Sequence, residues 1–488
     1  MFAVAAHLGT GAFPRTHRIL RQRQRRDTPY NKGGMTPKSN WINNRKDVSL
    51  GHWSRSSVLV ETISKELYER ASKVIPGGVT RPFRFFDPYP FYAKRAYGSK
   101  LVDFENREYT DYWEAHAALV LGHMHPVTVS AVKEQLELGF HFGVCNEWEV
   151  RLAEQVTKLV PSVKMVAFNS SGTEANMYAL KLARAYTKRN KVAKFEGHYH
   201  GNLESLFVAT RWPQDGPDSA GHDPLSAENT VILPLHDADT AYKTIKKRQL
   251  ACVIIELVTT STCIPEEKEF AKGLEEVCKD TDTLLILDEV ITGFRLAPGG
   301  AQEAFGVVPD LTTFGKAIGG GEFAVGAVGG RTEIMELMNQ QKHPKRSDCV
   351  VQGGTYSGNP LAMRAGCAAA KIYEEGKLYA HINGLGAKLM KGLENAINET
   401  GASARVTGYG SVVKIHFLRP GANVNDLKSL LANVDSEMDR KYFRHLISDG
   451  IFALTQGQVH FYLSLPHTEQ EIDKLVSSTR DFLKSGGE

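Results

Sequence analysis

The sequence predicts an α/β protein with one large, mostly parallel sheet covered by helices on both faces and a smaller α+β lobe beside it. Three observations carry that expectation. Between about Pro126 and Ala370, short runs of Val, Ile and Leu alternate with amphipathic stretches of helical period, the pattern of parallel strands buried between helices. Residues 371–488 mix long helical stretches with short strands. Residues 56–125 open with a helical stretch and continue in strand-like pieces, so both chain ends are expected to build the smaller lobe.

In chain order, residues 1–55 lack apolar periodicity and read as a basic extension. VETISKELYERASKVI is helical up to Pro76-Gly77-Gly78, a turn that must break it. YPFYAKRAYG and SKLVDFENREYTDYW are strand-like. VKMVAF, VAKFEG, NTVILPL, ACVIIEL and TLLILDEV are the strands expected of the large sheet. KLYAHINGLGAKLMKGLENAI and DLKSLLANVDSEMDRKYFRHLI are helical, and SVVKIHFL and QVHFYLSL are strands. The expected division is therefore 1–55, 56–125, 126–370 and 371–488.

Composition narrows the function. Residues 1–34 hold seven of the 59 basic residues and one of the 55 acidic ones, leaving 52 against 54 in the body. Such a balance gives no electrostatic reason to expect nucleic acid. No apolar run approaches the ~20 residues of a membrane span. The six cysteines show neither CxxC pairs nor metal-ligand spacing, so no metal is expected and the thiols read as small core residues of a reducing compartment. The expected location is cytoplasmic. The Arg-rich start would instead suit a mitochondrial or plastid transit peptide, a disordered tail, or an upstream start with Met35 as the working one.

Four segments of the large lobe carry chemistry. Asn169-Ser170-Ser171-Gly172-Thr173-Glu174 lies between a strand and a helix, where backbone N–H groups and the positive helix end suit a phosphate. The same residues would serve as an ordinary N-cap. Phe195-Glu196-Gly197-His198-Tyr199-His200-Gly201 places an aromatic ring at a strand end, able to cover a flat ligand. The spacing of His198 and His200 would suit a metal, but no third ligand is evident, and they read as polar residues at a pocket mouth. Asp288 closes the apolar strand LLILDEV, where open α/β sheets bind ligands. A carboxylate there keeps a pyridine nitrogen protonated and makes the ring an electron sink, although it would equally cap a helix. Lys316, in Thr312-Thr313-Phe314-Gly315-Lys316-Ala317-Ile318-Gly319-Gly320-Gly321, sits in an apolar, glycine-flanked segment. Burial would lower its pKa and let it form a Schiff base with an aldehyde.

NSSGTEAN, FEGHYHG, LILDEVITGFRLAPGGAQEAFGVVPDLTTFGKAIGGG and QGGTYSGNPLAM together resemble the class-III pyridoxal-phosphate-dependent aminotransferases. The nearest subgroup is the one containing glutamate-1-semialdehyde 2,1-aminomutase and β-amino-acid transaminases. The likeness runs from about Leu67 to Leu483. It implies a fold-type I homodimer with a shared active site, small-molecule amino and oxo-acid or aldehyde substrates, and pyridoxal 5'-phosphate as cofactor. It makes Lys316 the lysine that holds the cofactor. Ser171, Gly172 and Thr173 would hold the phosphate, with Thr355 reaching it from the partner subunit. Tyr199 and Val290 would flank the ring, and Asp288 would bond its nitrogen.

Departures from the subgroup fall on substrate residues. The aminomutase motif IPGGVNSPVRAF reads Ile75-Pro76-Gly77-Gly78-Val79-Thr80-Arg81-Pro82-Phe83-Arg84-Phe85-Phe86 here. Arg84 matches the aminomutase arginine for the substrate carboxylate, whereas Arg81 resembles the β-amino-acid transaminases. Residues 202–224 lack the lid pattern AGSGVAT, Val459 stands where the family has glutamate, and Glu256-Leu257-Val258-Thr259-Thr260-Ser261 replaces Glu-Pro-x-x-Gly-Asn. The expected activity is therefore amino transfer between an amino acid and an oxo acid or aldehyde. The aminomutase reaction forming 5-aminolevulinate is the alternative, and an epimerase or a non-catalytic cofactor-binding protein are remoter ones.

Overall fold

A computed structural model describes residues 62–211, 216–223, 225–424, 427–453 and 459–487. The basic extension, Met35 and any targeting segment lie outside the described residues, as do Thr455–Gln458. No described helix is long and apolar enough to cross a membrane.

The centre is a seven-stranded sheet. Met165–Asn169 forms one edge, followed by Gly326–Gly330, Leu311–Phe314, Leu284–Glu289, Leu250–Ile255, Lys191–Phe195 and Thr230–Leu233 at the other edge. Gly326–Gly330 runs antiparallel to both its neighbours, and the remaining pairings are parallel. Leu250–Ile255 and Leu284–Glu289 are buried at every position, which is why they read as unbroken apolar runs rather than alternating ones.

All five strands expected of this sheet are present. Two were not expected. Leu311–Phe314 is half threonine, and Gly326–Gly330 is three-fifths glycine, so neither carries an apolar signature. Gly326 needs its missing side chain, because a Cβ there would stand 2.2 Å from the Ser171 carbonyl oxygen.

Two smaller sheets complete the chain. Ala93–Tyr97, Lys100–Asp103 and Glu108–Asp111 are joined by Ile451–Phe452 from the far end of the sequence. Ala404–Tyr409, Val412–Phe417 and His460–Tyr462 form an antiparallel three. The first helix is shorter than its sequence pattern, Ile63–Ala71, since Ile75 before Pro76 is extended. The stretch beginning at residue 426 is two helices, Leu427–Ala432 and Ser436–Ser448, because the Asp435 carboxylate accepts the N–H groups of Glu437 and Met438 and starts the second. Cys252, Cys263, Cys278 and Cys367 are buried free thiols.

Candidate active site

The carboxyl ends of the parallel strands gather the chemistry-bearing residues. Lys316 follows the strand Leu311–Phe314 after the single residue Gly315 and opens a short 3-10 turn, Lys316–Gly319. Its φ of 52° is left-handed, a conformation that a lysine adopts only at a cost. The side chain keeps some surface, yet the protein packed around it pushes its pKa down to about 8. Desolvation is the main cause, opposed by Asp288 and reinforced by Arg81.

Asp288 ends its strand buried, and three donors converge on its two oxygens. Asn176 Nδ2 lies 2.8 Å from Oδ2, His200 Nδ1 2.8 Å from the same atom, and the Val290 N–H 3.0 Å from Oδ1. Asn176 is itself fixed by the Thr313 hydroxyl at 2.7 Å. The carboxylate is thus locked in one orientation.

This corrects the expectation for the two histidines. They are not at a pocket mouth: His198 and His200 are 0% and 1% exposed, and His200 is the partner of Asp288. A third group that could ligate a metal does stand beside them, namely Glu256. Its carboxylate already accepts the Tyr199 N–H at 2.7 Å and the Thr260 N–H at 2.8 Å. His198 Nδ1 accepts the Glu256 N–H at 3.0 Å, which leaves the ring proton on Nε2.

The turn after Met165–Asn169 leads into the helix Gly172–Thr187. Here the capping function is real, since Ser171 Oγ accepts the Glu174 N–H at 3.2 Å. The N–H groups of Gly172 and Thr173 remain at the positive end of a sixteen-residue helix. Gly172 is wedged between Val290 and Gly315. A Cβ on Gly172 would come within 2.8 Å of the Val290 methyls, and one on Gly315 within 3.1 Å of the same side chain. Thr173 packs under Gly201, where a Cβ would stand 2.4 Å from its Oγ1. The turn, Val290 and the Lys316 segment are therefore one packed unit. Tyr199, half-buried, donates its hydroxyl to Asn202 Oδ1 at 3.0 Å.

Arg81 and Arg84 separate clearly. Arg81 is half-buried, and its pKa is lowered by burial, with Tyr199, Arg84 and Tyr462 as its charged or ionisable neighbours. Arg84 is exposed. Thr355 is also exposed and is not gathered with Lys316 in this chain. Val459 is fully buried in an apolar cluster with Val413, Phe461 and Leu463.

One wall escaped the sequence reading. Glu114, Ala115, His116 and Ala117 have φ of 46°, 50°, 65° and 64°, four successive non-glycine residues in a left-handed turn. Asp111 Oδ1 holds its start by accepting the N–H groups of Trp113 and Glu114. Arg295, fully buried, holds its end by donating to the Ala117 carbonyl at 2.8 Å. Burial, reinforced by the charges of Lys316 and Arg81, keeps the His116 pKa well below the usual range. No hydropathy pattern announces such a turn.

A lysine of lowered pKa, a carboxylate fixed by three donors and an anion-binding helix end make a site for a phosphorylated aldehyde with a basic ring nitrogen. The sequence profile described as aminotransferase class-III matches residues 86–483. The chain belongs to the class-III aminotransferase family. It is 38% identical over 430 residues to the glutamate-1-semialdehyde 2,1-aminomutase of Methanopyrus kandleri, covering 86% of this chain and 97% of the relative. Among solved structures it resembles an omega-transaminase from Sphaerobacter thermophilus, with a TM-score of 0.80, 34% identity, and 87% and 98% of the two chains covered. It also resembles a β-phenylalanine aminotransferase from Variovorax paradoxus, with a TM-score of 0.75, 31% identity, and 87% and 94% covered. The protein is an enzyme whose cofactor is pyridoxal phosphate, and the glycine-lined cradle at Gly172 with the fixed Asp288 fits that group.

Proposed function

We propose that this class-III enzyme is a transaminase that moves an amino group from an amino acid to a separate oxo acid or aldehyde, with Lys316 as its catalytic base. The observation that carries the proposal is Lys316 itself, held with a pKa of about 8 at the strand ends beside Asp288. Pyridoxal phosphate, when bound, supplies an aldehyde that exchanges amines and a ring that takes up electron density from the carbon losing its proton. The chain's residues do the rest. Asp288 would keep a proton on the ring nitrogen. The N–H groups of Gly172 and Thr173, with Ser171 shaping the turn, would hold the phosphate, and Tyr199 and Val290 would lie against the ring. Lys316 Nζ, uncharged in an appreciable fraction near pH 8, takes the proton from the amino-bearing carbon and returns it to the acceptor side.

Arg81 is assigned the substrate carboxylate, because it is half-buried beside Tyr199 whereas Arg84 faces solvent. Its desolvated guanidinium gains more from a carboxylate than an exposed one does.

A homodimer is part of the same reading. Leu136, Leu138, Phe140, Phe142, Val144 and Val150 are all 44–73% exposed along one stretch, a patch that calls for a partner surface. His141 of that stretch lies 4.9 Å from the Tyr356 ring. Thr355 therefore belongs to the same exposed face, as a residue serving the partner's phosphate would. On this reading the large lobe runs from about residue 126 to about residue 370, and both chain ends build the smaller one.

The second reading is the intramolecular one, glutamate-1-semialdehyde to 5-aminolevulinate, favoured by the name of the Methanopyrus relative. Two features support transamination over it. Arg81 stands where the mutase motif has serine, and Val459 lies in the apolar core where that motif has a carboxylate. Product analysis decides between them. Purified holoenzyme with glutamate-1-semialdehyde alone should form no 5-aminolevulinate catalytically. With a panel of α- and β-amino acids it should aminate added 2-oxoglutarate or pyruvate. Catalytic 5-aminolevulinate formation without an acceptor would overturn the transaminase reading.

A further inference from the structure

We propose that Lys194 is a positioning residue: its buried ammonium winds residues 198–210 into the shape that sets the Tyr199 ring over the cofactor. The proposal rests on the reading of Tyr199 as a cover for the cofactor ring, and it names what holds that ring in place.

Lys194 lies in the strand Lys191–Phe195 of the large sheet and is 0% exposed. An ammonium loses its hydration at such a position, so its presence there needs compensation. Four oxygens supply it. Lys194 Nζ stands 2.8 Å from the His198 carbonyl, 3.1 Å from that of Leu206, 2.7 Å from that of Val208 and 3.2 Å from the Thr210 hydroxyl. An ammonium has three hydrogens to give, so none is left over. Lys194 is therefore no rival to Lys316 for an aldehyde. It is a hub round which the chain turns.

What the hub holds is the surroundings of Tyr199. His198 directly precedes Tyr199. Leu206 and Val208 flank Phe207, whose ring meets the Tyr199 ring edge-on, with centroids 6.0 Å apart and planes at 84°. One ammonium thus fixes the backbone just before Tyr199 and on both sides of the ring that abuts it. The Glu256 carboxylate holds the Tyr199 N–H at 2.7 Å, which anchors the residue but leaves its ring free to turn about the side-chain torsions. The hydroxyl contact to Asn202 belongs to the same wound segment. Ala209, between Val208 and Thr210, has a left-handed φ of 52°, and strain of that kind persists only where the surroundings over-determine it.

The segment has other closures, so Lys194 sets its shape rather than its existence. The Gly197 N–H donates to the Ala209 carbonyl at 2.8 Å, and the Asp218 carboxylate accepts the N–H groups of Thr210 at 2.8 Å and Arg211 at 3.1 Å. Removing the ammonium leaves these in place and cuts the tie among residues 198, 206 and 208. An apolar side chain of the same length would strand three carbonyls, which would turn toward water and carry Phe207 with them. Charge strengthens the grip, because a charged donor binds a carbonyl oxygen more tightly than a neutral one.

The test is a double-mutant cycle read on the holoenzyme's hold on its cofactor. Wild type, Lys194→Met, Tyr199→Ala and the double variant are dialysed against graded pyridoxal phosphate to give dissociation constants. Visible circular dichroism of the bound cofactor and urea midpoints are taken on the same samples. Each single variant is expected to bind the cofactor roughly tenfold more weakly, and the double variant no more than about threefold more weakly than the poorer single. The cofactor's dichroism in Lys194→Met is expected to fall to the Tyr199→Ala level. A purely structural role would lower the urea midpoint and let the two losses multiply to about a hundredfold. Multiplied losses, or unchanged binding in Lys194→Met, overturn the proposal and leave the reading of Tyr199 standing. Unchanged binding in Tyr199→Ala sinks that reading and the proposal with it. If Lys194→Met does not fold, Lys194→Gln, which keeps two donors, takes its place in the cycle with the same outcomes.

Discussion

The floor and the wall of this active site are built on opposite plans. The floor is Lys316, Asp288 and the Gly172 turn, all on residues that directly end or follow strands of one sheet, so local sequence order places them. The wall is Arg81, His116 and Tyr462, taken from three separate segments, with Arg295 bridging the Ala117 and Leu463 carbonyls beside the last two. On the proposed reading the floor would perform a reaction common to many amines, and the wall would select which amine is offered to it. Chemistry needs a few groups at fixed strand ends, whereas selectivity needs a surface that can differ while the sheet stays the same.

That contrast makes separable predictions. Replacing Lys316 with alanine should abolish borohydride-trapped cofactor and lower amino transfer by roughly 10⁴-fold for every substrate. Retention of the trapped adduct would show that another lysine carries the cofactor. Asp288→Asn keeps the shape and removes the charge, so the rate should fall by about 10²–10³-fold, again without regard to substrate. A loss confined to one substrate would move Asp288 from floor to wall.

Arg295 tests the wall as a structure. Arg295→Ala strands the Ala117 and Leu463 carbonyls, with an expected loss of about 2–4 kcal/mol in unfolding free energy measured by urea titration. A variant as stable as the wild type would mean that the left-handed turn holds itself. Arg81→Ala should raise KM for carboxylate substrates by roughly ten- to a hundredfold while sparing amines that lack a carboxylate. Arg84→Ala should change KM by less than about threefold, as befits an exposed cation. The reverse ranking would exchange their roles.

The smallest effect is one of pH. Lys316 is protonated below its pKa and cannot attack a carbonyl, and it is neutral above it. Capture of an aldehyde by the apo-protein should therefore rise through pH about 8 and level off, where an ordinary lysine would still be climbing toward 10.5. Borohydride trapping across a pH series measures this, and a midpoint above 10 would show that burial does not act on Lys316.

Much of this was legible without coordinates. Five strands of the large sheet announce themselves as apolar runs, and Asp288 and Lys316 stand out as charges inside apolar segments. What stayed hidden follows a physical rule. The apolar runs of Leu311–Phe314 and Gly326–Gly330 are broken, the first by Thr312 and Thr313, which hydrogen-bond Ser162, Gln302 and Asn176, and the second by glycines that close backbone approach requires. His200 looked like a polar residue at a pocket mouth, since only folding brings it onto Asp288, 88 positions away. Ser171 was read both as phosphate ligand and as N-cap, and the Glu174 N–H shows the cap to be formed.

The sequence by itself determined five strands of the sheet and the family, and singled out Lys316 as the proposed reactive lysine, because those depend on short-range patterns in which each residue's role is set by its neighbours. Tertiary structure decided that Arg81 rather than Arg84 turns inward, that Val459 joins the core, and that four residues after Trp113 adopt a left-handed turn. The turn rests on distant groups, Arg295 and Ser464, as well as on Asp111 beside it. A contact between residues 295 and 117 is an accident of folding that no local pattern encodes.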